Sequence, residues 1–153
     1  MSPVVPALDL ILVGSILLRA FRQRDRMTKM RWFRAGNNPD IWDENVPEPI
    51  NDLEAARRIR KICAAAADFA QIVSRDAGKS ADRERYERAV KTAMQIALKI
   101  SDDLLRDAAL REIINLCVNA NNLRRAEVLF RGIQSASIRE AVLIDNPSLQ
   151  RQR

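Results

Sequence analysis

Residues 90–110 read VKTAMQIALKISDDLLRDAAL and residues 123–143 read LRRAEVLFRGIQSASIREAVL. The two stretches are similar when they are aligned with Val90 opposite Leu123, that is, at one constant offset in residue number. We call this offset the repeat spacing. Periods of about 20–50 residues, such as this one, are typical of helical-hairpin repeats, in which each unit stacks on its neighbour because it cannot bury its apolar face alone. Nine aligned pairs are identical or chemically similar: Val90/Leu123, Ala93/Ala126, Ile96/Leu129, Ile100/Ile133, Leu105/Ile138, Arg106/Arg139, Asp107/Glu140, Ala108/Ala141 and Leu110/Leu143.

Two units are fewer than the roughly three that a repeat array usually needs for stability. We therefore expect the pair to pack on the preceding helical run, residues 51–75, or on a second copy of the chain. The alternative is a compact helical bundle in which the similarity at the repeat spacing is accidental.

The composition is that of one mostly helical domain. The chain has 153 residues, of which 47% are hydrophobic, with four glycines and six prolines. It has no histidine, which removes both the commonest general base and the commonest metal ligand. We therefore expect a non-enzymatic protein with no metal and no cofactor. Cys63 and Cys117 lie in apolar runs and are expected to be buried thiols in a reducing compartment.

Helix-start and helix-stop signals predict an all-α domain of about five helices, arranged as α-solenoid-like hairpins, over residues 51–146. Asn51-Asp52-Leu53-Glu54 has the spacing of an N-cap followed by a glutamate, and the first helix is expected to end near Arg75. Gly78 is predicted to cap that helix and Ser80 to cap the next. Residues 147–153 are expected to form a disordered tail. The other helices are predicted over 81–100, 102–120 and 123–131, and from the capping box Ser137-Ile138-Arg139-Glu140 to Ile144.

Two stretches of the body bear on phosphate binding. Gly78-Lys79-Ser80 matches the last three residues of the phosphate-binding-loop motif. That motif, however, needs a strand before it and a glycine at the position where this chain has Val73. We therefore exclude a nucleotide-binding loop. The polar side of the first body helix is interpreted as a solvated face in preference to a phosphate-contacting patch; it carries Arg57, Arg58, Arg60 and Lys61.

The positive charge is concentrated at the N-terminus. Residues 1–34 carry seven basic residues against Asp9 and Asp25, a net charge of +5, whereas the whole chain has a net charge of +6. The body is therefore close to neutral. The basic stretch is interleaved with aromatic side chains, and its candidate contacts with an anionic surface are Arg19, Arg22, Arg26, Lys29, Arg31, Trp32, Phe33 and Arg34.

An apolar run directly precedes this basic stretch. Val4–Leu18 would form a helix about 22 Å long. If the helix extends to Phe21, its length approaches the thickness of a bilayer core, which is roughly 30 Å. Basic and aromatic residues after an apolar helix are typical of membrane-proximal sequence. We expect residues 1–34 to form an N-terminal helix that anchors the chain to a membrane, with the body on the cytoplasmic side. The alternatives are a helix packed on the body or on a partner, a basic arm for nucleic acid, and a cleaved targeting segment.

Residues 35–50 are expected to be a linker, because Asn37-Asn38-Pro39-Asp40 is a turn signal and Pro47 and Pro49 prevent a helix. The linker is acidic, opposite in sign to the stretch before it. It is predicted either to be a solvated spacer or to fold back on the basic stretch. A third prediction is that Ile41 and Trp42 dock on a groove.

Residues 90–143 resemble tetratricopeptide-type helical repeats, with Ala97, Ala109 and Ile113 near the small and large packing positions of that motif. The tryptophan, glycine and tyrosine of the motif's first helix are absent, and Phe130 stands where a small residue is usual. The resemblance covers about a third of the chain. It implies binding of a protein or peptide on a concave face, and it carries over no ligand residues.

Arg106-Asp107 and Arg139-Glu140 recur at the same place in the two units. We interpret them as pairs that tie adjacent helices together. Acid–base chemistry would need burial and convergence of the carboxylates, which positions at a helix start seldom provide.

The resulting hypothesis is a non-enzymatic protein–protein interaction adaptor, tethered to the cytoplasmic face of a membrane by its N-terminal helix. The alternative is a small nucleic-acid-associated helical protein that uses residues 19–34 as a basic arm.

Overall fold

A computed structural model describes residues 39–45, 48, 50–76, 78 and 80–150. The predictions made for residues 1–34 lie outside this part of the chain. Within it the protein is all-α, which confirms the predicted fold class, and its six helices are α1 (Asp52–Arg75), α2 (Ser80–Ala97), α3 (Asp103–Asn119), α4 (Leu123–Arg131), α5 (Ala136–Asp145) and α6 (Pro147–Gln150).

The helices form two layers around a shared core. In one layer α1 packs on α3 and α3 packs on α5; in the other lie α2, which packs on α1 and α3, and α4, which packs on α3. The short α6 rests on α4 and α5. Because α3 touches four other helices, its apolar residues are buried on more than one side, Ala109, Ile113, Ile114, Leu116 and Cys117 among them.

The turns inside the two hairpins have matching hydrogen bonds. Between α2 and α3, Lys99 N–H donates to the Ile96 carbonyl (3.0 Å) and Ile100 N–H to that of Ala97 (3.2 Å). Between α4 and α5 the same two bonds recur one repeat spacing later, from Gly132 to Leu129 (2.9 Å) and from Ile133 to Phe130 (3.2 Å). The N-caps that follow, Asp102 and Ser135, are separated by the same spacing.

The start of α1 agrees with its cap signal, since Asn51 Oδ1 accepts from Glu54 N–H at 2.8 Å. Its end does not: Asp76, rather than Gly78, is the C-cap, and its N–H donates to the Ile72 carbonyl. Gly78 has no positive φ and donates its N–H to Asp76 Oδ1 at 2.9 Å. Ser80 is the first residue of α2 rather than its cap.

Two further helix ends differ from their predicted positions. Helix α2 ends at Ala97, not at residue 100, because the last turn tightens to the i→i+3 bonds described above and thereby buries Ile100. Helix α5 starts at Ala136, and the side chain of its cap Ser135 accepts no backbone N–H of the helix; its Oγ is hydrogen-bonded to Ser137 Oγ at 3.0 Å. The predicted capping box at 137–140 is therefore wrong, because Ser137 already lies inside the helix.

The chain after α5 is more ordered than the expected tail. Asn146 Nδ2 donates to Asn115 Oδ1 (2.7 Å) and to the Val142 carbonyl (3.0 Å), which holds the end of α5 against α3. Residues 147–150 then form α6, with Leu149 buried and Gln150 Nε2 bonded to the Leu143 carbonyl. Burial of Leu149 against α4 and α5 accounts for this order.

Candidate binding surfaces

An open groove of about 500 Å³ runs along the outer side of α2 beside the start of α4. Its wall is mainly apolar, and Leu98 at one end is 83% exposed. Single exposed apolar residues are ordinary, but a continuous apolar wall with a charged rim is typical of an interaction site. The groove is lined by Glu84, Glu87, Arg88, Val90, Lys91, Met94, Gln95, Leu98 and Arg125.

An ion pair fixes the spacing of the two helices that form this groove. Arg125 Nη1 of α4 donates to Glu87 Oε2 of α2 at 2.7 Å, and both side chains are partly buried. Burial alone would lower the pKa of the Arg125 guanidinium, but the hydrogen bond to Glu87 and the charge of that carboxylate raise it. The Arg125 guanidinium therefore stays charged, and its bond to Glu87 joins α4 to α2 at the groove.

A second surface is already filled by the chain itself. Residues 39–45, which we call the strap, cross α1 and α2, and Trp42 on the strap is 5% exposed. Its ring meets that of Phe69 edge-on at 6.0 Å, and the Arg85 guanidinium lies 4.3 Å above the same Phe69 ring. Of the predicted docking pair, Trp42 is thus buried in a groove of the protein's own body and Ile41 is half-buried beside it.

The carboxylates of the acidic linker are paired with cations of the body. Asp40 binds Arg85 side-on, with Arg85 Nε at 3.0 Å, and lies 3.5 Å from Arg88. The hydrogen bond to Asp40 raises the pKa of Arg85. The other pairs are Asp43 with Arg88 (3.1 Å), Glu44 with Arg58 (3.7 Å) and Glu48 with Lys99.

The backbone of the strap is also held. Arg58 Nη2 donates to the carbonyls of Ile41 (3.2 Å) and Glu44 (2.9 Å), and Thr92 Oγ1 donates to that of Trp42 (3.4 Å). The strap is therefore a folded part of the domain and not the solvated spacer that was one of the predictions. In the part of the linker that the structure describes, its charges face α1 and α2.

Asp107 connects the two hairpins. It is 1% exposed, and its Oδ2 accepts from Gln134 N–H (2.9 Å) and Ser135 N–H (2.7 Å) in the turn before α5. Asp52 does the same at the turn before α3, where its Oδ2 accepts from Ser101 N–H (3.1 Å) and Asp102 N–H (2.8 Å). The two pairs of donors are one repeat spacing apart.

The other members of the two recurring charge pairs do different things. Arg106 pairs with Asp103 of its own helix (2.6 Å), Arg139 lies 5.4 Å above the Phe130 ring, and Glu140 is exposed. Asp107, and Arg139 through its contact with Phe130 of α4, therefore tie neighbouring elements as expected of the pairs, whereas Arg106 pairs within its own helix. The expectation that such positions are seldom buried is wrong for Asp107, whose burial comes from the turn that packs over it.

The two thiols are free and buried. Burial raises the pKa of Cys63 to about 12 and also raises the pKa of Cys117, so neither is an activated nucleophile. No cluster of three or more potential metal ligands occurs among the described residues. Nor does any helix in that part of the chain reach the length and apolarity needed to cross a bilayer.

No protein-family model matches this chain, and neither a curated protein nor a solved structure shows significant similarity to it.

Proposed function

We propose that the protein is a non-enzymatic adaptor that binds a protein partner in the α2–α4 groove and is tethered to the cytoplasmic face of a membrane by residues 1–34. The observation that carries the binding role is the apolar wall of the groove, where Leu98, just after the end of α2, is 83% exposed and where Arg125 of α4 is paired with Glu87 of α2. Preformed apolar grooves with a few charged groups at the rim are what peptide partners use.

We further propose that the α2–α3 and α4–α5 hairpins are two copies of one unit, with α1 closing the array at its N-terminal end. The matching turn bonds and the equivalent roles of Asp52 and Asp107 support this. In arrays of this kind the first helices of successive units share one face, and that face forms the binding surface. Here those helices are α2, which supplies most of the groove lining, and α4, which supplies Arg125.

The partner that fits the groove is a short amphipathic segment. Its apolar side chains would cover Met94 and Leu98, and its charged groups would meet a rim that carries both signs, with Glu84 and Lys91 among its members. A mixed rim favours partner selection and orientation more than raw affinity.

The non-catalytic role is supported by the chemistry of the candidate reactive groups. The thiol pKa values are raised, the one fully buried carboxylate in the described residues, Asp107, accepts two backbone N–H groups through its Oδ2, and the chain has no histidine. The membrane tether is supported by the apolar run and the basic, aromatic stretch that ends at Arg34.

Affinity capture with the full chain tests the binding role. We expect Leu98→Glu to abolish capture of the partner, because a charge inside an apolar groove is desolvated without compensation. The matched control is Ile144→Glu, which places the same charge on a similarly exposed apolar residue of α5 outside the groove. Partners retained by L98E as well as by I144E would contradict the proposal.

Flotation of the full chain with vesicles tests the tether. We expect binding to vesicles that contain phosphatidylserine, weakened when Arg22, Arg26, Lys29 and Arg31 are all changed to Gln. If the chain instead bound duplex RNA or DNA with an affinity that fell steeply with salt, and did not bind vesicles, the nucleic-acid alternative would replace this one.

A further inference from the structure

A second cavity, of about 540 Å³, opens between the strap and the first turns of α1. Its apolar side is formed by Ile41, Ile50 and Leu53, and Leu53 is 50% exposed. Its polar side is formed by Arg57, Arg58 and Lys61 together with Glu44, Asn51 and Glu54. The cavity thus presents an apolar side and a polar side on which cations outnumber carboxylates.

Two of these cations have no carboxylate of their own. Arg58 is engaged by the strap carbonyls and by Glu44. Arg57 and Lys61, one helical turn apart on α1, are exposed and make no ion pair or hydrogen bond to any residue that the structure describes. This distinguishes them from the strap-facing cations, Arg85 and Arg88, which are paired.

Neither of the two glutamates that line the cavity forms an ion pair with Arg57 or Lys61. Glu44 lies 3.7 Å from Arg58, and Glu54 faces the Asn51 cap, whose Nδ2 is 3.5 Å from its Oε2. Arg57 and Lys61 are therefore available to an anion, and Leu53, on the same stripe of α1, is available to an apolar group attached to that anion.

The body follows the proposed tether closely in the sequence. Arg34 precedes Asp40 by six residues, and Asp40 is bound to the body by Arg85 and Arg88. The lipid site described next rests on this proposed tether.

We propose that the cavity between the strap and α1 binds the headgroup of an anionic phospholipid, with Arg57 and Lys61 contacting the phosphate and Leu53 resting against the glycerol and upper acyl region. The tether supplies attachment, and this site orients the body on the bilayer. The α2–α4 groove is a separate surface, because its lining residues are different from those of the cavity.

The test uses the full chain and measures both binding and orientation. Arg57→Gln combined with Lys61→Gln is compared with Arg83→Gln combined with Arg124→Gln, which removes the same charge from exposed cations that line neither cavity. On vesicles containing phosphatidylserine we expect the first pair to lower affinity roughly twentyfold and the second pair to change it little.

Orientation is read from an environment-sensitive fluorophore on a Leu53→Cys variant, since the native thiols are buried. We expect its emission to shift to the blue on phosphatidylserine vesicles but not on pure phosphatidylcholine vesicles. Soluble glycerophosphoserine should not produce the shift; if it does, the site binds a free phosphate group and the lipid proposal is overturned.

The failures of the two proposals are distinguishable. If the chain binds vesicles but R57Q/K61Q matches its control and the probe does not shift, the tether stands and the lipid site is wrong. If the chain fails to bind phosphatidylserine vesicles at all, both proposals fall. Circular dichroism of each variant confirms that its helices are intact.

Discussion

Asp107 accepts two backbone N–H donors from the turn before α5 while only 1% of its surface is exposed. Those amides lie in the turn that leads into α5, so the carboxylate of α3 holds the start of a helix whose N-cap, Ser135, accepts no helix N–H through its own side chain. Charge-assisted bonds to backbone amides are among the stronger hydrogen bonds, and their loss leaves buried donors unsatisfied.

Replacement of Asp107 by alanine should therefore destabilise the domain by about 2–4 kcal/mol. The measurement is urea unfolding followed by circular dichroism. Glu140→Ala is the matched control, because Glu140 occupies the same position in the second unit but is exposed. We expect E140A to change stability by less than about 0.5 kcal/mol. Equal effects of D107A and E140A would show that the capping contact contributes nothing specific.

The Cys63 thiol gives the domain a pH dependence in the alkaline range. Burial raises its pKa from 9.0 to about 12. Between these values the unfolded thiol has lost its proton while the folded one keeps it, so the unfolded state binds fewer protons and the free energy of unfolding falls as pH rises. We expect the urea midpoint to decline from pH 9 upward, with a shallower slope in Cys63→Ala. A midpoint independent of pH in this range would contradict the burial of an un-ionised thiol.

The strap is held against α1 and α2 by its side chains, although it has no regular secondary structure. Trp42 supplies apolar contact with Phe69, and Asp40 and Asp43 supply ion pairs with Arg85 and Arg88. The ion pair of Asp40 is partly buried and therefore less screened than a surface pair. Glu48, which is fully solvated, adds a pair in which the hydrogen bond to Lys99 lowers the pKa of its carboxyl.

Loss of Asp40 should release the strap. In a Trp32→Phe background, which leaves Trp42 as the only tryptophan, we expect Asp40→Asn to shift tryptophan emission to the red because the indole gains water. Glu48→Gln is the control and should leave the emission unchanged, since its ion pair lies on the surface and away from Trp42. A buried spectrum in D40N would mean that apolar contact alone holds the strap.

At the scale of the whole molecule, α3 is the element that all larger helices share. It packs on α1, α2, α4 and α5, whereas α6 is a single turn resting on α4 and α5. Local opening of a protein costs least where few buried contacts must be broken. The stability of the domain is therefore expected to decrease from α3 outward.

Native-state hydrogen exchange should show that gradient. We expect amides of α3 to exchange only through global unfolding and those of α6 to exchange fastest among the helices, with α5 between them. Uniform protection across α3 and α6 would instead indicate that the described helices open as one unit.

The helical core could be predicted from local sequence, whereas the strap could not. The α1 start at Asn51 follows from a capping signal that acts over three residues, and the predicted ends of α4, 123 and 131, are the observed ones. The contact between Asp40 and Arg85 spans 45 positions, and no periodic pattern marks it. The α2–α4 groove could not be predicted from the sequence either, because the exposure of Leu98 depends on where α4 lies.

At two helix ends the group that makes the bonds is not the one that the capping signal indicates. At the end of α1 the backbone N–H of Asp76 bonds to the Ile72 carbonyl, and before α5 the Asp107 carboxylate accepts the N–H groups of Gln134 and Ser135. A capping motif in the sequence identifies a residue that could make such a bond, but not which of several competing groups lies closest in the folded protein.

The two aspartates that hold turns both precede their donors in the chain: Asp52 lies upstream of residues 101 and 102, and Asp107 lies upstream of residues 134 and 135. Synthesis on a ribosome proceeds in that direction. When each turn emerges, the carboxylate that receives its amides has already been made and sits on a helix that has had time to form. The hairpins can thus be added one after another to a nascent chain, without waiting for its C-terminal end.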